Sequence, residues 1–424
     1  MTAITFGSRR WDTRPRSSLL PADWPIVLIC AGMPLCFVIG IHGFIWALPA
    51  VVFGLQLFSR REPIIVPRSS IPLLLLVAWI PVTMLRLEAS ALPLAAFRFL
   101  VFASTAACFL WLVNQPERLL PTRRVVRLLA TLWVVLVAFG YLAVLLPTFS
   151  MPSPFQSALP GGILSNVYIA DLTSWRFAQV ESLVSIEVGR PAAPMAYSNG
   201  WGSTLGLLTP FFVLEYFVLS TGRRRRIGMA LGAAGLVPII LSLNRGLWVS
   251  MGVGFLYVAV RRALQGNLRI AIAVVVAAVL VVGVLAATAL GDTVQQRFEI
   301  SSDSNNARTA LYEVAYDTAQ QSPLLGWGAP VDVAGLWKEV GTHGLVWFVM
   351  VAYGFPGLFF LLAWMVFLVA SSARAPNAIA LWAHVAIVVF IVQTPVYGLL
   401  PQVVLVGIAA AIAMRGRDLT EVSA

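Results

Sequence analysis

Long, unbroken apolar runs separated by short polar turns constrain this chain more than any other feature. They fall at 24–41, 43–58, 70–86, 91–113, 125–146, 200–220, 227–243, 246–261, 268–290, 343–370, 377–394 and 397–414. A helix needs roughly 20 mostly apolar residues to cross the hydrocarbon core of a bilayer. In lipid the backbone must satisfy its own polar groups, which leaves only helices or closed barrels as spans. The runs are continuous and rich in Leu, Val and Ala, without the alternation of a barrel strand, so helices are expected. Hydrophobic residues make up 59% of the 424 and charged residues 11%, where soluble domains carry about a quarter charged. The reading is an all-α polytopic membrane protein of about twelve transmembrane helices, forming a single integral unit over 1–424.

Arginine placement orients that unit. The net charge is +11, which by itself could suggest a nucleic-acid partner. Its distribution argues against one. Most of the basic residues lie in alternate inter-span segments: Arg9 to Arg16, Arg60 to Arg68, Arg118 to Arg127, Arg223 to Arg226, Arg261 to Arg269, Arg374, Arg415 and Arg417. By the positive-inside rule these segments are cytoplasmic. They include an N-terminal tail at 1–23 and a C-terminal tail at 415–424, and no removed signal peptide is expected. The charge is therefore a topology signal, and no nucleic acid is expected to bind. Cys30, Cys36 and Cys108 all fall inside apolar runs and read as small core residues rather than a disulfide framework.

Two long segments, 147–199 and 291–342, then face the periplasm or exterior. Both are polar, rich in Gly, Pro, Ser and Asn, and poorly periodic. Loops of this length are uncommon and usually functional. Between the runs 227–243 and 246–261 stands Leu243-Asn244-Arg245-Gly246. An arginine in so tight an outer turn either snorkels to water or clamps an anion. In the second long loop, Asn305-Asn306-Ala307-Arg308 leads into Thr309–Gln321, which reads as a short amphipathic helix capped by Asn305 or Asn306. Leu311, Ala315 and Ala319 form its apolar stripe, flanked by Tyr312 and Tyr316, with Glu313, Asp317 and Gln321 on another face. Arg308 falls in the first turn, where a cation opposes the helix dipole unless an anion is near. Pro323-Leu324-Leu325-Gly326-Trp327-Gly328 follows, and His343 opens the longest run. Alone, His343 reads as structural; within reach of outer arginines, a neutral imidazole can take a proton from a hydroxyl. The first long loop ends in Arg190 and, at the start of a span, Asn199.

In their order and content these segments resemble the O-antigen ligase and Wzy-type polymerase superfamily of bacterial envelope enzymes. Asn244-Arg245-Gly246 is similar to the family's Ser-Arg-Gly turn. Arg308 through Gly328 resembles its pattern of arginine, aromatic, then Pro-Leu-Leu-Gly-x-Gly. His343 and Tyr353-Gly354-Phe355-Pro356-Gly357 follow in the family's order, and Arg190 to Asn199 is a weaker match. Asn244 replaces the family's common serine, and Gly344 stands where asparagine usually follows the histidine. The resemblance is best over about 185 to 370.

The resemblance implies a GT-C-like glycosyltransferase of the bacterial cytoplasmic membrane. Its expected donor is a polyprenyl-diphosphate-linked glycan, and its acceptor a glycan or glycolipid hydroxyl on the outer face. It implies Arg190, Arg245 and Arg308 as diphosphate ligands and His343 as the catalytic base. Asn199, Asn244 and Tyr312 complete the expected substrate-binding set. Fixed guanidinium donors stabilise a departing diphosphate without a metal, so neither metal nor cofactor is expected. Asp292, Glu299 and Asp303 have spacings that match no cation-ligand pattern. The alternative is a transporter that flips lipid-linked oligosaccharide. That class places charged groups mid-membrane, and here Arg98, Glu215 and His384 are the few such groups. Arg98 and Glu215 lie within reach of a membrane surface and can snorkel.

Overall fold

The structure, a computed structural model, describes residues 20–183, 186–286, 301–333 and 339–421. The side chains of 181–188 and 301–308, of parts of 270–286 and of 417–421 fall outside the described set. Most of the expected 1–23 tail therefore lies outside the described residues, as do Asp292, Glu299 and the side chains of Asp303 and Arg308.

Helices dominate. In chain order they are α1 (Trp24–Cys30), α2 (Met33–Ile39), α3 (Leu48–Phe58), α4 (Ile71–Met84), α5 (Leu92–Val113) and α6 (Thr122–Leu145). Three short helices follow, α7 (Pro154–Ala158), α8 (Gly161–Leu164) and α9 (Val167–Thr173). Then come α10 (Ser198–Val213), α11 (Gly222–Leu241), α12 (Arg245–Leu264) and α13 (Leu268–Ala286). The last four are α14 (Ser301–Gln321), α15 (Leu345–Ser372), α16 (Ala378–Gln393) and α17 (Val403–Glu421). Among the described residues five helices are long and apolar enough to cross a membrane: Leu92–Val113, Thr122–Leu145, Ser198–Val218, Arg245–Leu264 and Leu345–Ser372.

The bundle packs around α5, which lies against α3 and α17, while α10 packs on α6, α12 and α16. Large aromatics fill its centre: Trp111 stacks on Phe53 at 4.1 Å and Trp133 on Phe212 at 3.8 Å between ring centres. Buried indoles still need an acceptor. Trp133 Nε1 donates to Thr209 and Trp201 Nε1 to the Leu136 carbonyl. Outward faces carry Leu55, Val249, Leu256, Val260, Ile272, Phe359 and Val366, all exposed. A soluble monomer does not leave so much continuous apolar surface in water; a bilayer covers it.

Several boundaries differ from expectation, each for a local reason. The run 24–41 is two helices, because Ala31 and Gly32 end the first turn-wise and Pro34 restarts the second. The loop 147–199 contains two antiparallel ribbons within the expected all-α chain. These are β1 (Ser150–Pro152) with β2 (Ser174–Arg176), and β3 (Ala178–Leu183) with β4 (Ile186–Pro191). α14 begins at Ser301, so Asn305 and Asn306 lie inside a 21-residue helix rather than capping a short one. At the far end α17 runs through Arg415, which is buried and bonds Glu117 and the Leu112 carbonyl. The expected tail from 415 thus begins as packed helix.

Charges at this arginine-rich end are tied down. Glu215 is fully buried in a wide turn, Leu214–Val218, and faces three guanidinium groups: Arg224 at 2.7 Å, Arg127 at 3.2 Å and Arg123 at 3.5 Å. It joins α6, α10 and α11 rather than snorkelling. His384 is held in a chain whose proton directions are fixed. Arg261 donates to Tyr257 Oη, which then donates to His384 Nε2; Nδ1–H donates to Ser372 Oγ, which donates to the Leu368 carbonyl. Both groups are thereby occupied by structure.

His42, in the turn after α2, is buried against Phe37 with 4.9 Å between ring centres. Its Nδ1 has no hydrogen-bond partner among the described residues. Burial lowers its pKa to about 4. The native ring therefore stays neutral where an unfolded one, with a pKa near 6.5, is charged. Stability should fall as pH drops below about 6.5 and continue falling to about 4, by about 2 kcal/mol at pH 5. His42→Gln should flatten that dependence, measured by melting temperature in detergent at pH 7.5 and pH 5. Parallel slopes for the two proteins would remove His42 as the cause.

Candidate functional site

Opposite the arginine-rich end, three turns from distant parts of the chain meet. The first precedes α12. Leu243 sits in the left-handed region (φ 50), an uncommon position for a branched residue, and this reverses the chain sharply. Asn244 then caps α12: its Oδ1 accepts from the Leu247 N–H at 2.9 Å, which satisfies one of the helix's orphan donors. Its Nδ2 donates to the Ser198 carbonyl at 3.3 Å, at the start of α10. Arg245 follows as the first helical residue, half-buried. Arg190, at the end of β4, is buried and donates from Nε to the Ser242 carbonyl at 2.8 Å. Arg190 and Arg245 are therefore anchored to the same turn.

The second turn carries His343. Thr342 Oγ1 donates to the Glu339 carbonyl at 2.8 Å and lies 2.9 Å from His343 Nδ1. A carbonyl can only accept, so the hydroxyl proton goes to Glu339 and the ring proton sits on Nδ1. In the neutral tautomer this leaves Nε2 as the basic nitrogen of the ring. α15 starts two residues later. Its first free N–H groups, of Leu345 and Val346, are satisfied by the carbonyls of Tyr397 (2.8 Å) and Thr394 (3.3 Å).

The third turn, 394–397, joins the other two. Tyr397 Oη hydrogen-bonds Asn244 Oδ1, and the Pro395 carbonyl accepts from Trp347 Nε1 at 3.0 Å and Tyr312 Oη at 3.1 Å. The Tyr312 ring stacks on Trp347 at 4.5 Å. Two glycines make this fit possible. A Cβ on Gly246 would overlap the Tyr397 ring, and one on Gly344 would overlap the Pro395 carbonyl and approach Trp347 to 2.6 Å. That explains why the residue after His343 is glycine here.

A second joint lies beside it. α15 breaks at Gly354 (φ 69, ψ −175), and Pro356 has no N–H to return to Ala352. The released carbonyls are taken by the 322–328 loop: Trp327 N–H donates to Val351 at 3.0 Å and Gly328 N–H to Ala352 at 2.7 Å. In return Phe355 N–H donates to the Pro323 carbonyl at 2.8 Å. The Pro-Leu-Leu-Gly-x-Gly and Gly-Phe-Pro-Gly stretches are thus two halves of one contact. Arg86 seals it, bonding Ser322 and the Gly326 carbonyl and lying over Trp327 at 5.7 Å. On α14 the expected stripe of Leu311, Ala315 and Ala319 is buried, while Glu313 and Asp317 are exposed.

The structure therefore brings Arg190, Asn244, Arg245, Tyr312 and His343 to one end of the bundle around the 394–397 turn. Asn199 is exposed on the first turn of α10, and its side chain makes no hydrogen bond among the described residues. Arg308 lies on α14 one turn before Tyr312; its side chain is outside the described residues. Sequence reasoning missed Pro395 and Tyr397, which lie outside every recognised motif. A polar turn, Gln393-Thr394-Pro395, between two apolar runs was the available signal.

Together the fold and this end of the bundle define a multi-pass helical membrane protein with a polar centre built from turns. Residues 227–362 match the model of the O-antigen ligase family. The match takes in Arg245, Arg308, His343 and both halves of the Gly354 joint, and it bears out the resemblance to the O-antigen ligase and Wzy-type polymerase superfamily. It implies a glycosyltransferase-like enzyme. No curated protein matches the chain.

Proposed function

We propose that this protein transfers a glycan from a polyprenyl-diphosphate donor to an acceptor hydroxyl, with inversion, at the outer face of the bacterial cytoplasmic membrane. The observation that carries the reading is the convergence of the Arg190–Arg245 turn and the His343 turn on the 394–397 turn. Two guanidinium groups and an imidazole carried by turns that meet at one end of the bundle suit one chemistry well. The acceptor O–H gives its proton to His343 Nε2 as its oxygen attacks the anomeric carbon. The bond from that carbon to the diphosphate oxygen breaks, and the electron pair leaves with the diphosphate. Arg190, Arg245 and Arg308 stabilise that developing charge through bidentate N–H donors, without a metal. Tyr312, Asn199 and Asn244 line the approach, Asn244 chiefly by holding Arg245 in place.

The remaining topology belongs to the same proposal. The chain is a single GT-C-like unit of about twelve spans, with both termini cytoplasmic and the segments 147–199 and 291–342 outside. The arginine-rich end, with Glu215 and its three partners, is the cytoplasmic side by the positive-inside rule. Glu215 and His384, two of the three mid-span groups that the transporter reading draws on, are bonded within the fold, which leaves that reading less support.

The test is transfer by purified protein from a polyprenyl-diphosphate oligosaccharide, with chelator present throughout. Product formation is expected, and its length distribution distinguishes polymerase from ligase. Absence of transfer, with labelled donor crossing the bilayer of proteoliposomes instead, would replace this reading with the flippase.

A further inference from the structure

Arg98 lies six residues into α5, about 9 Å along the helix axis from the end that carries the site. It is 9% exposed, and it makes no hydrogen bond or ion pair among the described residues. Its guanidinium lies 5.6 Å from the centre of the Phe348 ring, and its charge reaches Tyr168, Tyr353 and Glu339. The other arginines near this end are occupied: Arg86 by Ser322 and Gly326, Arg176 by Asp171 and the Ala196 carbonyl, Arg190 by Ser242. A buried guanidinium that the protein leaves without an anion costs stability. Such a cost is retained where a ligand supplies the missing charge.

The surroundings point to the same place. Phe348 is on α15, five residues after His343, and the Glu339 carbonyl positions Thr342 beside that histidine. Tyr168 belongs to α9 in the first long loop, and its ring faces Tyr197 next to Ser198, the partner of Asn244. Arg98 therefore stands among elements that carry both halves of the site, but deeper along the bundle. A glycan extends away from the membrane while its lipid runs into it. A cation on the lipid side of the site meets the phosphate linkage, not the sugars.

We propose that Arg98 is a diphosphate-binding residue, gripping a phosphate oxygen of the lipid-linked donor from the membrane side. This rests on the transferase reading above. With Arg98 below and Arg190 and Arg245 above, the diphosphate is held at both phosphates, which fixes the line along which it departs.

The test is binding by the full-length protein in nanodiscs. Farnesyl diphosphate, inorganic pyrophosphate and a glucuronate-bearing disaccharide are titrated into wild type, Arg98→Gln, Arg98→Lys and Arg245→Ala. Melting temperature of the ligand-free proteins is measured alongside. Arg98→Gln is expected to weaken both diphosphates at least tenfold, with Arg98→Lys intermediate because a point charge lacks the bidentate fork. The ligand-free melting temperature of Arg98→Gln should equal or exceed that of wild type. Unchanged diphosphate affinity in Arg98→Gln, with a loss in Arg245→Ala, overturns the assignment of Arg98 and leaves the transferase reading standing. Loss confined to the disaccharide assigns Arg98 to an acidic sugar and overturns it too. A lowered melting temperature with affinity retained makes Arg98 structural. If wild type binds neither diphosphate, both this proposal and the reading beneath it fall.

Discussion

Arg245→Ala is expected to cut glycan transfer by at least about a hundredfold while the protein still folds. The size follows from the role: removing one fixed donor from a developing oxyanion commonly costs 10²–10³ in rate. The folding expectation follows from the geometry. The cap of α12 is Asn244, through Leu247 and Ser198, and Tyr397 holds that asparagine. None of these bonds uses the Arg245 side chain. A cation in the first turn of a helix also opposes the dipole, so its loss should leave the melting temperature within a few degrees. Arg245→Lys should recover part of the activity, since charge returns without the planar fork. Initial rates of transfer, with the melting temperature measured in parallel, decide it. A variant with near wild-type turnover would remove Arg245 from the reaction.

The second large effect is structural. Gly354→Ala is expected to destabilise the protein by about 3 kcal/mol or more and to abolish transfer with it. With φ 69 and ψ −175, Gly354 occupies a region that residues with a Cβ scarcely enter. An added Cβ would also overlap the Leu324 carbonyl and crowd that of Pro323 at 2.8 Å. Both are backbone atoms, so no side-chain rotation relieves the clash. The 322–328 loop would have to leave α15, exposing the carbonyls of Val351 and Ala352 that it satisfies. Gly326→Ala meets the same joint from the other side, at φ 64 and 2.5 Å from the Ala352 oxygen. Thermal melting in detergent reads the effect, and a wild-type transition for Gly354→Ala would show that the break is not needed.

Much of the architecture was legible without coordinates. Apolar runs mark most of the helices, since a bilayer leaves the backbone few other options. The stripe of Leu311, Ala315 and Ala319 was visible because one helix face repeats at that spacing, and all three are buried. The start of α14 was not visible. Ser301 to Arg308 carries no apolar stripe, and short polar residues such as Asn305 read as caps because their side chains compete for backbone bonds. The ribbons of the first long loop escaped for a similar reason: their pairing is between strands, and no strand is long enough to show a period.

For the site, sequence alone determined which residue types stand in which turns, and the order of those turns along the chain. It thereby carried the resemblance that the match over residues 227–362 bears out. What only tertiary structure decided is which of these turns meet. Tyr397 reaches Asn244 across 153 positions and Trp79 reaches the Tyr353 carbonyl across 274, and no local propensity encodes such separations. The same holds for charge. In the sequence Arg98 and Glu215 read alike, as charges within reach of a membrane surface, and Arg190 as an arginine at the end of the first long loop. Packing gave Glu215 three cations and Arg190 the Ser242 carbonyl, and left Arg98 with none of these. The reason is physical: the cost of a buried charge depends on its neighbours, and folding, not the local sequence, supplies them.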